Sequence, residues 1–203
     1  MKNSLETSLP YWLLAVVVLI VFYGIYFTKQ LAQKRRGIQT RQIGRRKEKS
    51  IRTVEVVMGI ATLSVPIVQV ISIISGWNYM PANARFTGFL TAMLGNIIFL
   101  ISVLCMKDSW RAGIPEKDKT RLVTRGIYQY SRNPAFLGFD LQYTGVLLMY
   151  CNPLTVVCSV FAMSMLHLQI LQEERYLAQE FGEEYLEYKS RVFRYLGRRV
   201  KTK

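Results

Sequence analysis

The chain is 203 residues long, 51% hydrophobic and strongly basic, with 27 Lys and Arg against 13 Asp and Glu. That length suits one compact unit rather than several, and apolar content gathered into blocks of about twenty residues argues against a water-soluble domain. One histidine and three cysteines in no paired spacing indicate neither a metal site nor a disulfide framework. The positive charge reads as basic loops that orient membrane spans and rest on anionic lipid, so no nucleic-acid partner is expected.

Five spans are predicted, at about 9–28, 54–77, 86–106, 135–150 and 154–171. The first is read as a retained span rather than a cleaved signal, because its apolar run is long and no small-residue cleavage site follows. Gln30 to Lys49 has no apolar stripe and is expected to be a solvated, lipid-facing connector. Pro66 falls in the middle of the second span, where its missing N–H predicts a kink. Gly88 and Gly95, and Gly138 and Gly145, each recur at seven residues and so put small surfaces on one face of the third and fourth spans, permitting close helix approach. The fourth block is only about fifteen residues, or roughly 23 Å, and calls for a tight hairpin with the fifth. Beyond it Leu177, Phe181, Tyr185, Tyr188 and Val192 step by three or four, which predicts an amphipathic helix, and the basic tail from Arg194 to Lys203 is expected to lie on the membrane surface.

The expected fold is thus all-α: an integral membrane protein whose last two spans form a hairpin, with cytoplasmic elements at 109–134 and 172–195. Cationic residues crowd Lys29 to Arg52 and Lys107 to Arg132 and are sparse at Ser75 to Arg85, so the N-terminus is placed outside and the C-terminus in the cytoplasm.

Polar groups sit at both feet of the last hairpin. Before it lie Leu122-Val123-Thr124-Arg125-Gly126-Ile127-Tyr128 and Arg132-Asn133-Pro134; after it come Glu173 and Glu174. Asn133 suits an N-cap and Pro134 a first helical turn. Two carboxylates at the membrane end of a helix are costly against lipid, so they should face water, a cation or a ligand. Phe181-Gly182-Glu183-Glu184-Tyr185-Leu186-Glu187-Tyr188 completes the pattern.

These elements together resemble the isoprenylcysteine carboxyl methyltransferase family, membrane enzymes with an LVxxGxY loop, an Arg-His-Pro triplet, a hydrophobic hairpin, a Glu-Glu pair and an FGxxYxxY element. The resemblance covers roughly Ser109 to Arg194. It implies S-adenosylmethionine bound on the cytoplasmic side by Thr120, Arg121, Leu122, Val123, Tyr128, Asn133, Pro134, Ala135, Phe136 and Glu173, and a lipophilic methyl acceptor at the membrane. Arg132, Glu174 and His167 are the candidate catalytic residues; His167 would be a base if the acceptor had to lose a proton. Asn133 stands where the family more often has His, and Gln169 where carboxyl-methylating relatives have Arg. The alternatives carried forward are a phospholipid or other lipid amine methyltransferase and a non-catalytic membrane scaffold.

Overall fold

In a computed structural model, which describes residues 10–40, 43, 49–111 and 121–199, the chain folds as α1 (Tyr11–Arg35), α2 (Lys49–Ser75), α3 (Ala82–Met106), α4 (Pro134–Met149) and α5 (Pro153–Arg191). Among the described residues there is no strand, only an isolated antiparallel bridge between Val192 and Arg198. The protein is an all-α integral membrane protein. The helices containing α1, α2, α3 and α5 are long and apolar enough to cross a bilayer. At 16 residues, α4 is about 24 Å long and falls short of the roughly 30 Å hydrocarbon core. Ile20, Ile60, Leu63, Ile74, Leu104 and Val157 stand more than 60% exposed, an outer surface that suits lipid and would drive aggregation in water.

The short α4 is held by α3, the most closely packed pair in the bundle. A Cβ on Gly88 would lie 2.5 Å from the carbonyl oxygen of Gly145, and one on Gly95 would lie 2.8 Å from that of Gly138. The four glycines therefore form one interface within the chain, as their spacing predicts, and the backbones meet where no side chain fits. Aromatic packing of Phe22, Phe99 and Phe139 closes the adjoining core.

One expectation is corrected. The segment after the first span is not wholly a solvated connector. Helix α1 runs two turns further, through good helix formers, and Gln33, 1% exposed, donates through Nε2 to the Trp110 carbonyl (3.0 Å) and accepts from Thr40 Oγ1 (2.7 Å). In the tail, residues 192–199 fold back as a hairpin, with Phe193 N–H donating to Gly197 O and Gly197 N–H to Tyr130 O, while residues 200–203 lie outside the described residues. Helix α5 runs without a break from Pro153 to Phe181, about 43 Å and longer than the bilayer core, so its charged part beyond Leu171 projects past the apolar part, and a break at Gly182 (φ 50°) separates off its last turns.

Candidate functional site

A cavity of about 450 Å³ lies at the basic end of the bundle, between α1, α2, α5 and the segment leading into α4. Its polar wall carries Arg121, Tyr128, Arg132, Asn133, Gln169, Glu173, Tyr185 and Tyr188. The apolar wall carries Tyr23, Phe27, Met58, Gly59, Leu63, Pro66, Phe136, Phe139 and Leu166. Phe27 and Leu63 are also 59% and 65% exposed on the lipid-facing surface, so the apolar end reaches the flank of the bundle between α1 and α2. A volume in the range of ligand pockets, with one polar and one greasy end, suits an amphiphilic pair of ligands.

Local chemistry explains how the polar wall is built. Gly126 opens the 3-10 turn Gly126–Gln129 at φ +64°, and a Cβ there would come within 2.7 Å of Cys105 Sγ, so only glycine lets the turn pack on α3. The turn aims Tyr128 inward, and the Tyr188 hydroxyl donates to the Tyr128 carbonyl at 2.6 Å, tying the loop to the end of α5. Leu122 joins Leu177, Phe181, Tyr185, Tyr188 and Val192 in a small core, which is what the amphipathic stripe of α5 buries.

Asn133 occupies the N-cap position of α4, but its side chain makes no capping bond. The amide instead donates to Glu174 Oε1 (3.4 Å) and to the Arg194 carbonyl (3.3 Å). Glu174, 4% exposed, is the hub: Arg132 Nη2 reaches Oε1 at 2.7 Å, Arg194 donates to Oε1 and Oε2 at 3.0 and 2.9 Å, and Lys189 Nζ lies 3.9 Å from Oε2. Burial alone would raise this carboxyl, but the hydrogen bonds and charges of Arg194 and Arg132 outweigh it and hold it at about 2.

Glu173 points the other way, into the cavity, and accepts from Gln169 Nε2 at 3.1 Å. Burial pushes its carboxyl up to about 7; the Gln169 hydrogen bond opposes the rise, and the fully buried Glu55 of α2 adds to it. Gln169 and Arg132 line the cavity, and Gln169 Oε1 and Arg132 Nε are themselves buried without a hydrogen bond, which is costly inside a protein.

Of the residues singled out from sequence, Arg121, Leu122, Val123, Tyr128, Arg132, Asn133, Ala135, Phe136 and Glu173 line this one cavity. Pro134 is buried at the start of α4 without lining it, and Thr120 lies outside the described residues. Glu174 and His167 are not on its wall: His167 Nδ1 sits 2.7 Å from the Tyr195 hydroxyl, with the two rings stacked. Sequence reasoning missed Arg194, Tyr195 and Glu55, which carry no motif. It also missed the cavity roles of Tyr23, Met58 and Gly59, which read only as parts of spans.

Comparison with known proteins places this site in a family. The phospholipid methyltransferase family model matches residues 83–184, half of the chain, from α3 through most of α5. Over 108 residues the chain is 32% identical to protein-S-isoprenylcysteine O-methyltransferase B of Arabidopsis thaliana, covering 52% of this chain and 55% of that protein. It is 40% identical over 108 residues to the protein-S-isoprenylcysteine O-methyltransferase of Saccharomyces cerevisiae, covering 52% and 45%. To that of Mus musculus it is 32% identical over 109 residues, covering 52% and 38%. The chain thus spans about half the length of the curated relatives it matches, and the stretch matched by the family model holds the turn, the Arg-Asn-Pro triplet and both glutamates. The chain belongs to the phospholipid methyltransferase family, and the relatives it resembles there are isoprenylcysteine O-methyltransferases.

Proposed function

We propose that the protein is a methyltransferase that uses S-adenosylmethionine to methylate a lipophilic acceptor at the cytoplasmic face of a membrane, the acceptor group being a carboxylate as the names of its relatives indicate. The observation that carries this reading is the two-ended cavity, whose polar wall holds the motif residues while its apolar wall reaches the lipid-facing flank. The residues fit the cofactor. Glu173 offers a carboxylate to an ammonium or to ribose hydroxyls, the Arg132 guanidinium offers a positive charge to a carboxylate, and Tyr128, Phe136 and Leu122 offer flat and apolar surface. When bound, S-adenosylmethionine would supply an electrophilic methyl group on a sulfonium.

In this reading the chain's own work is alignment and exclusion of water. A carboxylate acceptor is already ionised and needs no base, which agrees with the placement of the sole histidine off the cavity wall. Arg132 touches ligand, Glu174 holds Arg132, and His167 anchors Tyr195. The gap between α1 and α2, bordered by Phe27 and Leu63, admits the acceptor's apolar tail from the bilayer. The basic end of the bundle faces the cytoplasm, with the N-terminus outside.

The test is calorimetric titration of the purified full chain in lipid nanodiscs with S-adenosylmethionine and S-adenosylhomocysteine. Micromolar-range binding lost in Glu173→Ala and Tyr128→Ala is the expected result. No binding by folded wild-type protein would overturn the reading in favour of a scaffold.

A further inference from the structure

The hairpin at residues 192–199 turns apolar and cationic side chains outward together. Leu196, at its turn, is 71% exposed and Phe193 is 43% exposed; Tyr130, whose carbonyl accepts from Gly197, is 59% exposed. Arg198 and Arg199 follow, both exposed, with the Arg199 guanidinium 5.6 Å above the Phe193 ring. No acidic residue occurs between Val192 and Arg199. The turn is tied on three sides: Phe193 N–H donates to Gly197 O (3.0 Å), Gly197 N–H to Tyr130 O (2.7 Å) and Arg199 N–H to Arg191 O (2.8 Å). A Cβ on Gly197, at φ +121°, would lie 2.6 Å from the Phe193 ring, so glycine is what lets the turn close on that ring.

The contact between Tyr195 and His167 sets the depth of this tip. His167 lies four residues, about 6 Å, inside the end of the apolar stretch of α5 at Leu171. The Tyr195 hydroxyl meets His167 Nδ1 at 2.7 Å, with the two rings stacked. Leu196, next in the chain, therefore stands at the margin of the hydrocarbon, where an exposed leucine gains by leaving water. Arginines and aromatic rings beside it suit the headgroup layer.

We propose that the 192–199 hairpin docks on the surface of its own bilayer at the basic end of the bundle, with Leu196 and Phe193 entering beneath the headgroups and Arg198 and Arg199 binding the phosphates of anionic phospholipids. The hairpin lies after residue 184, where the family match ends, and its docking needs no cofactor. It also backs the polar wall of the cavity. The Phe193 and Arg194 carbonyls accept from the N–H groups of Arg132 (3.1 Å) and Asn133 (3.2 Å), so acidic lipid that seats the hairpin braces the start of α4 as well. Because the turn is already folded, docking orders little chain, and its strength follows lipid charge.

The experiment reconstitutes the full chain in phosphatidylcholine nanodiscs, with or without phosphatidylglycerol, and follows tryptic cleavage after Arg198 and Arg199 by mass spectrometry. Two arginines at about 1 kcal/mol each correspond to cleavage about thirty-fold slower in the discs that contain phosphatidylglycerol. Depth is read from Leu196→Trp, a substitution at an exposed position, as the fluorescence added over wild type. Brominated acyl chains should quench that fluorescence, more strongly in the anionic discs, and aqueous iodide should not. In Leu196→Trp/Arg198→Gln/Arg199→Gln the quenching should become equal in the two disc types, with the unfolding midpoint in phosphatidylcholine unchanged from Leu196→Trp. Equal cleavage rates for the wild type in both disc types, or quenching by iodide rather than by bromine, would overturn the proposal. Protection from trypsin in detergent that rises with protein concentration would assign the surface to a second copy of the chain and overturn it too. Neither readout involves S-adenosylmethionine, so failure here would leave the cofactor reading standing.

Discussion

A single methyl group added at the α3–α4 interface tests whether the glycines hold the short helix in place. In Gly145→Ala the new Cβ would sit 2.6 Å from the Gly88 carbonyl oxygen and 2.7 Å from Ala92 Cβ, and closest of all to the Ala92 nitrogen. Ordinary contact begins at 3.4 Å, so α4 must move away by at least about 0.8 Å, and the obstacle is backbone rather than a side chain that could rotate. Overpacking of this kind costs about 1–3 kcal/mol, or about 3–9 °C in melting temperature at this chain length. Gly24→Ala is the matched control: Gly24 is exposed on α1 with nothing within 4 Å of its Cβ position, and alanine there should stabilise the helix by up to about 1 kcal/mol. Thermal unfolding in one detergent, followed by circular dichroism, gives both numbers. Equal midpoints for the two variants would refute the claim that close backbone approach holds α4. Because α4 begins at the Arg-Asn-Pro triplet, the same displacement should also weaken S-adenosylhomocysteine binding in Gly145→Ala and not in Gly24→Ala.

Glu174 and Glu173 should respond to pH in opposite senses. The Glu174 carboxyl lies below its ordinary 4.5, so its ion cluster contributes stability above that pH and loses it as pH falls towards 2; Glu174→Gln should cost about 3 kcal/mol at pH 7 and nothing near pH 2, by chemical denaturation. The Glu173 carboxyl is raised from 4.5 to about 7, so stability falls as pH rises through that window and levels off above it. Glu173→Gln should therefore raise the melting temperature at pH 8 while weakening ligand binding, and a lower melting temperature there would contradict the burial argument. Wild-type affinity for a cationic ligand should climb from pH 6 to pH 8 as Glu173 ionises, with proton release visible as a buffer-dependent binding enthalpy. Gly126→Ala, which meets both a positive φ and Cys105, should cost about 2 kcal/mol and displace Tyr128, seen as weaker binding at unchanged helix content.

The helices were legible because span length, charge asymmetry and the seven-residue glycine repeats are local properties. What eluded sequence reading was the fate of polar residues near helix ends. Gln33 belongs to a polar run yet is buried, because its partner, the Trp110 carbonyl, is 77 residues away and appears in no periodicity. The tail from Arg194 suffers the same blindness. Its positive charge suggests lipid headgroups; that the edge formed by Tyr130, Arg132 and Asn133 also offers it backbone partners, and Glu174 a buried countercharge, is invisible from composition.

The Glu-Glu pair shows where the site itself exceeded the sequence. Read along the chain, Glu173 and Glu174 look like one acidic unit at the foot of a hairpin. On a helix, neighbouring residues point about 100° apart, so the two carboxylates of α5 cannot serve one ligand equally. Leu166, Gln169, Glu173 and Tyr176 recur at three and four residues and form the face that lines the cavity. His167, Ile170 and Glu174 share the next face, where His167 meets the returning strap and Glu174 meets both the strap and Arg132. That phase shift gives the two carboxyls opposite electrostatics, one near 7 beside a cavity and one near 2 among arginines. It also explains why the lone histidine falls away from the cavity wall. A base placed at residue 167 would act on the strap side of α5, whereas Glu173 is the carboxyl of this pair that faces the cavity. Measuring ligand affinity against pH in Glu173→Gln and His167→Gln separates the two faces: the pH dependence between 6 and 8 should vanish in the first and persist in the second.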